Sequence, residues 1–325
     1  MVQELRKKLR ALRRPVHDKS KLDIRGVKML FVTGITGHTG KWFLKRLVEE
    51  NYKGKIRCLV RENSNTDLID KSGLNIEKVY GDLSNKSSIE NLMSGVETVV
   101  HISTILFSNN VIDAAIKNNV KWAILVHTTG RFSKYKSASE EYINIEDGLI
   151  EKRDKIGITV LRPTMIYGSS GDRNMYKLVD YLYRHKFFPM FGQGENLMQP
   201  VYAKDLGDAY YDVLMNKDKT FNKDYNLSGK APIKYIDLVR CVSKTLNRKN
   251  TLVKIPLWLS VLSAKIYNVI DKKAIISVEQ VLRMQEDKDF SYEEATKDFG
   301  YSPISFEEGI KGEVEEYLNS RQRGK

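Results

Sequence analysis

Three glycines at three-residue spacing, Gly34, Gly37 and Gly40, follow the apolar run Met29-Leu-Phe-Val-Thr33 and open onto the helix-patterned stretch Lys41-Trp-Phe-Leu-Lys-Arg-Leu47. The residue type sets the chemistry. Gly34 permits a tight turn off a strand, Gly37 lets backbone N–H groups approach an anion, and Gly40 lets a helix start close to the sheet. With the positive end of that helix behind it, such a loop cradles a pyrophosphate. Thr36, His38 and Thr39 are the side chains between the glycines, and a dinucleotide is the ligand implied. A second cue stands about twenty residues past the loop, where an acid reads the ribose of NAD and an arginine the phosphate of NADP. The run Lys55-Ile-Arg-Cys-Leu-Val60 ends there at Arg61, with Glu62 beside it. Arg61 favours NADP(H) over NAD(H).

These groups need a frame of strands and helices. Ile76–Tyr80 runs into Gly81-Asp82-Leu83, a helix pattern covers Lys86–Met93, and Val96–Thr104 is nearly continuous in apolar residues, as a strand buried on both faces requires. A helix through Val111–Ile116 leads to the strand Trp122–Val126, which ends in His127-Thr128-Thr129-Gly130, and Ile158–Pro163 is a sixth strand. The alternation predicts an α/β fold, a doubly wound parallel Rossmann sheet with a smaller, mostly helical C-terminal substrate domain. The divisions are a basic arm at 1–26, a dinucleotide-binding domain at 27–168 with returns near 200–228, and a substrate-binding region at 169–325. Residues 169–200 are rich in aromatic and basic side chains, among them Arg173, Tyr176, Tyr181, Phe187 and Phe188, and read as a substrate wall. Asp224–Ser228 reads as a later strand and the apolar stretch Pro256–Ile270 as core.

The 325 residues are 41% apolar and 29% charged, a soluble globular composition. Two cysteines, Cys58 and Cys241, lie far apart with no metal-ligand cluster, which fits a reducing, cytoplasmic setting. No secretory leader and no membrane-spanning run is expected. Of the net charge of +13, residues 1–28 hold +7, from ten Lys/Arg against three acids. The excess is therefore local and does not point to nucleic acid. Leu5, Leu9, Leu12 and Val16 share one side of a short basic helix, suited to a peripheral membrane or protein contact or to a solvated tail.

Thr33-Gly34-x-x-Gly37-x-x-Gly40, Gly81-Asp82-Leu83, His101-Ile102-Ser103, Leu161-Arg162-Pro163 running to Tyr167-Gly168, Gln199-Pro-Val-Tyr202 with Asp205, and Gly300-Tyr301-Ser-Pro303 occur in one order. Together they resemble the extended short-chain dehydrogenase/reductases, the NAD-dependent epimerase/dehydratase group, over residues 28–318. The resemblance implies a cofactor site of Gly34, Thr36, Gly37, His38, Thr39, Gly40, Arg61, Asp82, Leu83, His101, Ile102, Ser103, Lys136 and Pro163. It also implies hydride transfer on a small hydroxyl or carbonyl substrate, sugar-type in the epimerases. By itself His101 reads as a satisfied core histidine.

The family's chemistry uses Tyr-x-x-x-Lys on a helix, where i and i+4 share a face and the cation lowers the phenol pKa. Two registers compete. Tyr142-x-x-x-Glu146 keeps the tyrosine but sets a carboxylate where a cation is needed. Phe132-x-x-x-Lys136 keeps the lysine, with Glu140 four residues on, and is the register adopted; it loses the phenol at Phe132. Tyr135 is then the substitute proton carrier, Lys136 the ribose contact, and Thr128 or Thr129 the group that polarises the reacting oxygen. Met165 and Met198 stand where the sugar-nucleotide epimerases carry Asn and Arg. Three readings follow: an atypical NAD(P)-dependent oxidoreductase or epimerase, a non-catalytic NADP(H)-binding sensor or assembly protein, and a docking module with an empty site.

Overall fold

The computed structural model describes residues 29–172, 174–261 and 278–323. The arm at 1–26, Arg173, and the apolar stretch beyond residue 261 up to 277 lie outside the described residues. Seven strands form the main sheet: β1 (Met29–Thr33), β2 (Lys55–Val60), β3 (Ile76–Tyr80), β4 (Thr98–His101), β5 (Trp122–Val126), β6 (Gly157–Pro163) and β7 (Asp224–Leu227). Their order is β7-β6-β5-β4-β1-β2-β3 and every pairing is parallel. The apolar runs account for this. All residues of β4, β5 and β6 are buried, and such strands are stable only when helices cover both faces.

The covers come from α1 (Gly40–Glu49), α2 (Ser108–Lys117), α3 (Lys136–Ile150), α4 (Met175–Arg184), α5 (Ala203–Met215), α6 (Tyr235–Thr245) and α7 (Phe306–Arg323). Phe43, Leu44 and Leu47 of α1 pack with Leu206, Tyr210 and Val213 of α5 on one face of the sheet. Val111, Ile112 and Ala115 of α2 and Leu149 of α3 cover the other. Asparagines take the left-handed conformation just past three helices, at Asn51, Asn119 and Asn247, where a short polar side chain tolerates it. Strand order reverses between β1 and β4, so a crevice opens where their carboxyl ends part.

A third core unites α4, α6 and α7 through Val179, Val239, Ile310 and Val314. It carries two features that the sequence reading lacked. Phe187–Phe191 is a strand, paired in parallel with a further strand at Thr251–Ile255. The start of the apolar 256–270 stretch is not core, for Trp258 is 68% and Leu259 40% exposed. Phe187, 61% exposed, lies outside any wall, whereas Phe191 faces a cavity.

Candidate functional site

The glycine loop leaves β1 at the strand-order reversal. Gly34 has φ +76°, and a Cβ there would meet Ser103 N at 2.8 Å, so the loop lies directly on the segment after β4. A Cβ on Gly40 would fall 2.1 Å from the Gly34 carbonyl oxygen, which is why α1 starts so close to the turn. Thr33 and His101 face each other at the ends of β1 and β4. His101 Nε2 lies 3.1 Å from the Thr104 carbonyl, so it carries the proton, and Nδ1 accepts from the Thr33 hydroxyl at 2.7 Å. Burial, helped by the nearby His127, lowers the His101 pKa to about 4. His101 is thus a neutral clasp holding Ile102 and Ser103 against the loop.

The adenosine end follows from β2 and β3. Arg61 is exposed at the end of β2, and Asp82 is exposed just past β3. The Ser84 N–H and hydroxyl lower the Asp82 pKa, and the Arg61 charge adds to the effect. The Leu83 carbonyl accepts from the Asn110 side chain at 2.9 Å. Residues read from sequence as cofactor contacts therefore line the carboxyl ends of β1 through β4, and Pro163 closes the row at the end of β6. At the phosphate loop, His38 Nδ1 is 2.8 Å from Ser169 Oγ, while His38 Nε2 is buried without a partner. An orphan donor or acceptor beside a glycine cradle fits a bound dinucleotide.

Beyond the loop lies a cavity of about 1310 Å³. His38 and Thr128–Gly130 form its inner wall, Thr164–Ile166 one side, and residues 281–290 the other. Thr128 Oγ1 accepts the Gly130 N–H at 3.0 Å, which leaves its proton to donate to a ligand oxygen. Thr129 instead gives its proton to the Pro163 carbonyl at 3.2 Å and locks β5 to β6.

The adopted helical register needs correction. Capping by Thr128 folds Thr129–Phe132 into a 3-10 turn, Ser133 and Tyr135 are extended, and α3 begins only at Lys136. Phe132 and Lys136 therefore share no helix face, and Tyr135 is the residue before the helix rather than a neighbour on it. Neither Tyr135 nor Lys136 is among the residues lining the cavity, whereas Phe132 and Ser133 are. The pair that does share a turn of α3 is Tyr142 and Glu146. Glu146 is fully buried; it accepts from Arg162 Nε at 2.8 Å, from His127 Nδ1 at 3.0 Å and from Arg131. Burial would raise its pKa, but the bonds from His127 and Arg162 outweigh that and hold it at about 2. With Nδ1 donating to a carboxylate, His127 Nε2 accepts from Ser108 Oγ at 3.0 Å. The sequence reading missed this buried network, although the polar residues Arg162 and His127 interrupting two buried strands were its trace.

The far wall is stitched to the main sheet's edge. Glu286 accepts from Ser133 Oγ at 2.9 Å and from Lys134 N at 2.8 Å, and Phe290 stacks on Phe132 with ring centroids 5.5 Å apart. Gln199 accepts the Phe290 N–H at 2.8 Å and donates to the Gly229 carbonyl at 2.7 Å. Lys288 donates to the Arg283 carbonyl at 3.0 Å, and burial lowers its pKa. Beneath the cavity, Asp172 caps α4 by accepting from the N–H groups of Asn174, Met175 and Tyr176. Glu313 of α7 accepts the Gly168 N–H at 2.8 Å. No cluster of metal-ligating side chains exists among the described residues, and among them no helix is long and apolar enough to cross a membrane.

Comparison with known proteins agrees with this geometry. A family model described as NAD(P)H-binding matches residues 34–177. A 70-residue stretch is 37% identical to sterol demethylase protein B of Methylococcus capsulatus, over 22% of this chain and 20% of that one. Mouse short-chain dehydrogenase/reductase family 42E member 1 is 23% identical over 254 residues, 72% of this chain and 63% of the relative. The chain thus spans less than two thirds of either relative. The UDP-glucose 4-epimerase of Thermotoga maritima, solved with UDP-glucose, has a TM-score of 0.69 at 17% identity, covering 90% of this chain and 99% of that one. A glycine cradle at a strand-order reversal, a seven-stranded parallel sheet and an NAD(P)H-binding match over residues 34–177 give this chain a dinucleotide-binding fold that resembles the extended short-chain dehydrogenase/reductases of the NAD-dependent epimerase/dehydratase type.

Proposed function

We propose that the chain is an NADP(H)-dependent oxidoreductase that moves hydride between its cofactor and a hydroxyl or carbonyl carbon held at Thr128. The observation that carries this reading is Thr128, which lines the cavity at the end of β5 and whose hydroxyl accepts the Gly130 N–H, an arrangement that supports donation of its own proton to a ligand oxygen. The glycine loop supports the pyrophosphate, and Arg61 supports a 2′-phosphate on the ribose. The bound nicotinamide supplies a hydride acceptor or donor. When an alcohol is oxidised, its carbinol hydrogen leaves with both C–H electrons for the nicotinamide, its hydroxyl proton goes to solvent water, and a C=O bond forms whose oxygen keeps the hydrogen bond from Thr128. In the reverse direction Thr128 donates a hydrogen bond to the carbonyl oxygen as negative charge builds there. Tyr135 and Lys136 have no part in this scheme. The unpaired thiols of Cys58 and Cys241 support a reducing, cytoplasmic setting.

The test is a titration of NADPH and NADH by fluorescence, with wild type and Arg61→Ala. The expected outcome is tighter NADPH binding that drops about tenfold in the variant while NADH binding stays put. Equal affinity for both coenzymes, unchanged by the substitution, refutes the NADP(H) assignment. Turnover of any alcohol that survives Thr128→Val undiminished refutes the role of that hydroxyl.

A further inference from the structure

The walls of the cavity speak to what carries the reacting oxygen. Drug-sized ligands occupy pockets of about 300–1,000 Å³, and a space of about 1310 Å³ exceeds that range. Much of its lining is apolar, with Phe132, Met165, Phe191, Met198, Leu259 and Phe290 contributed by separate segments. Phe132 is 46% exposed in spite of its stacking on Phe290, so a broad aromatic surface faces the space. Apolar surface left open inside a cleft marks a ligand contact.

The charged groups point the same way. Asp172, Glu286 and Asp287 line the space together with Arg283 and Lys288, three acids to two bases. Asp172 is engaged with the start of α4, Glu286 with Ser133 and Lys134, Asp287 with the Leu197 N–H at 2.7 Å, and Lys288 with a main-chain carbonyl. A diphosphate would bring its negative charges into this setting with three carboxylates nearby. A neutral molecule pays no such penalty.

We propose that the cavity takes a neutral, largely apolar alcohol or ketone of steroid or polyprenol size, its single oxygen meeting Thr128. The chemistry of the step rests on the redox reading above; the binding does not.

The full chain, loaded with NADP(H), is titrated by calorimetry with dehydroepiandrosterone, geranylgeraniol and UDP-glucose, and NADP⁺ reduction is followed separately at 340 nm. The expected result is binding of the polycyclic or the linear alcohol at least a hundredfold tighter than UDP-glucose, the preferred one telling the two sources apart. Met198→Glu should weaken the preferred alcohol tenfold or more while NADPH affinity, the check on folding, stays within twofold. UDP-glucose binding as tightly as either alcohol, no binding of either alcohol, or an alcohol affinity untouched by Met198→Glu overturns the proposal. Alcohol binding without NADPH formation upholds the ligand class and refutes the redox reading, whereas NADPH formation with UDP-glucose alone does the reverse.

Discussion

Glu313→Gln should make the protein more stable, and more so as the pH rises. Glu313 is fully buried on α7; one carboxyl oxygen accepts the Gly168 N–H and the other has no partner. Burial first, then the neighbouring Asp172, pushes its pKa from 4.5 up to about 9, so the folded protein carries this carboxyl protonated at neutral pH. The unfolded chain ionises the same group near 4.5. Folding at pH 8 must therefore return a proton, which costs roughly 5 kcal/mol at 1.36 kcal/mol per pH unit. Glutamine keeps the size and the acceptor for Gly168 and has no proton to recover. Relaxation around the site trims the figure, and we expect the variant to gain about 2–5 kcal/mol at pH 8, falling to within about 1 kcal/mol at pH 4.5. Urea unfolding of both proteins, followed by tryptophan fluorescence at four pH values between 4.5 and 8, measures this directly. Two stability curves that run parallel across that range would show the carboxyl to be ionised in the folded state and the reasoning to be wrong.

Further outcomes follow from the same geometry. Gly40→Ala should cost about 3 kcal/mol or abolish NADPH binding, because the added methyl falls on the Gly34 carbonyl; thermal unfolding and cofactor titration check it. Arg162→Leu should destabilise by about 3 kcal/mol, since buried Glu146 loses its two-pronged partner; urea unfolding at pH 7 reads the loss. His101 is protonated near pH 6.5 when unfolded and only near 4 when folded, so its burial costs nothing above pH 6.5 and removes up to about 3 kcal/mol as the pH falls to 4. Glu313 acts in the opposite direction above 4.5, so the clean comparison is Glu313→Gln with and without His101→Gln: the double variant should show a shallower acid-side slope, the remainder coming from His127 and Glu146.

Much of the main sheet could be read from residues because its determinants are local. The all-apolar β5, the glycine triplet after β1 and the Gly-Asp turn after β3 each state their role within a dozen positions. What escaped is what depends on distant partners. Thr251–Ile255 is a strand only because Phe187–Phe191 lies beside it, and its own pattern is mostly exposed. The Phe132/Lys136 register failed for a related reason: the cap made by Thr128 ends the chain's turn at Phe132, and a four-residue spacing carries no sign that a helix has yet begun. Glu146 was weighed as a charge out of place, whereas Arg162, sixteen residues on, and Arg131 supply the countercharge.

The single carboxylate of Glu286 grips both Ser133 and the main chain of Lys134, in the stretch that follows β5 and its Thr128. Anything that wedges the two walls apart has to let go of both anchors at once, so occupancy on one side is mechanically felt on the other. On the proposed role of Thr128, filling the pocket and setting that hydroxyl would be linked through this one side chain.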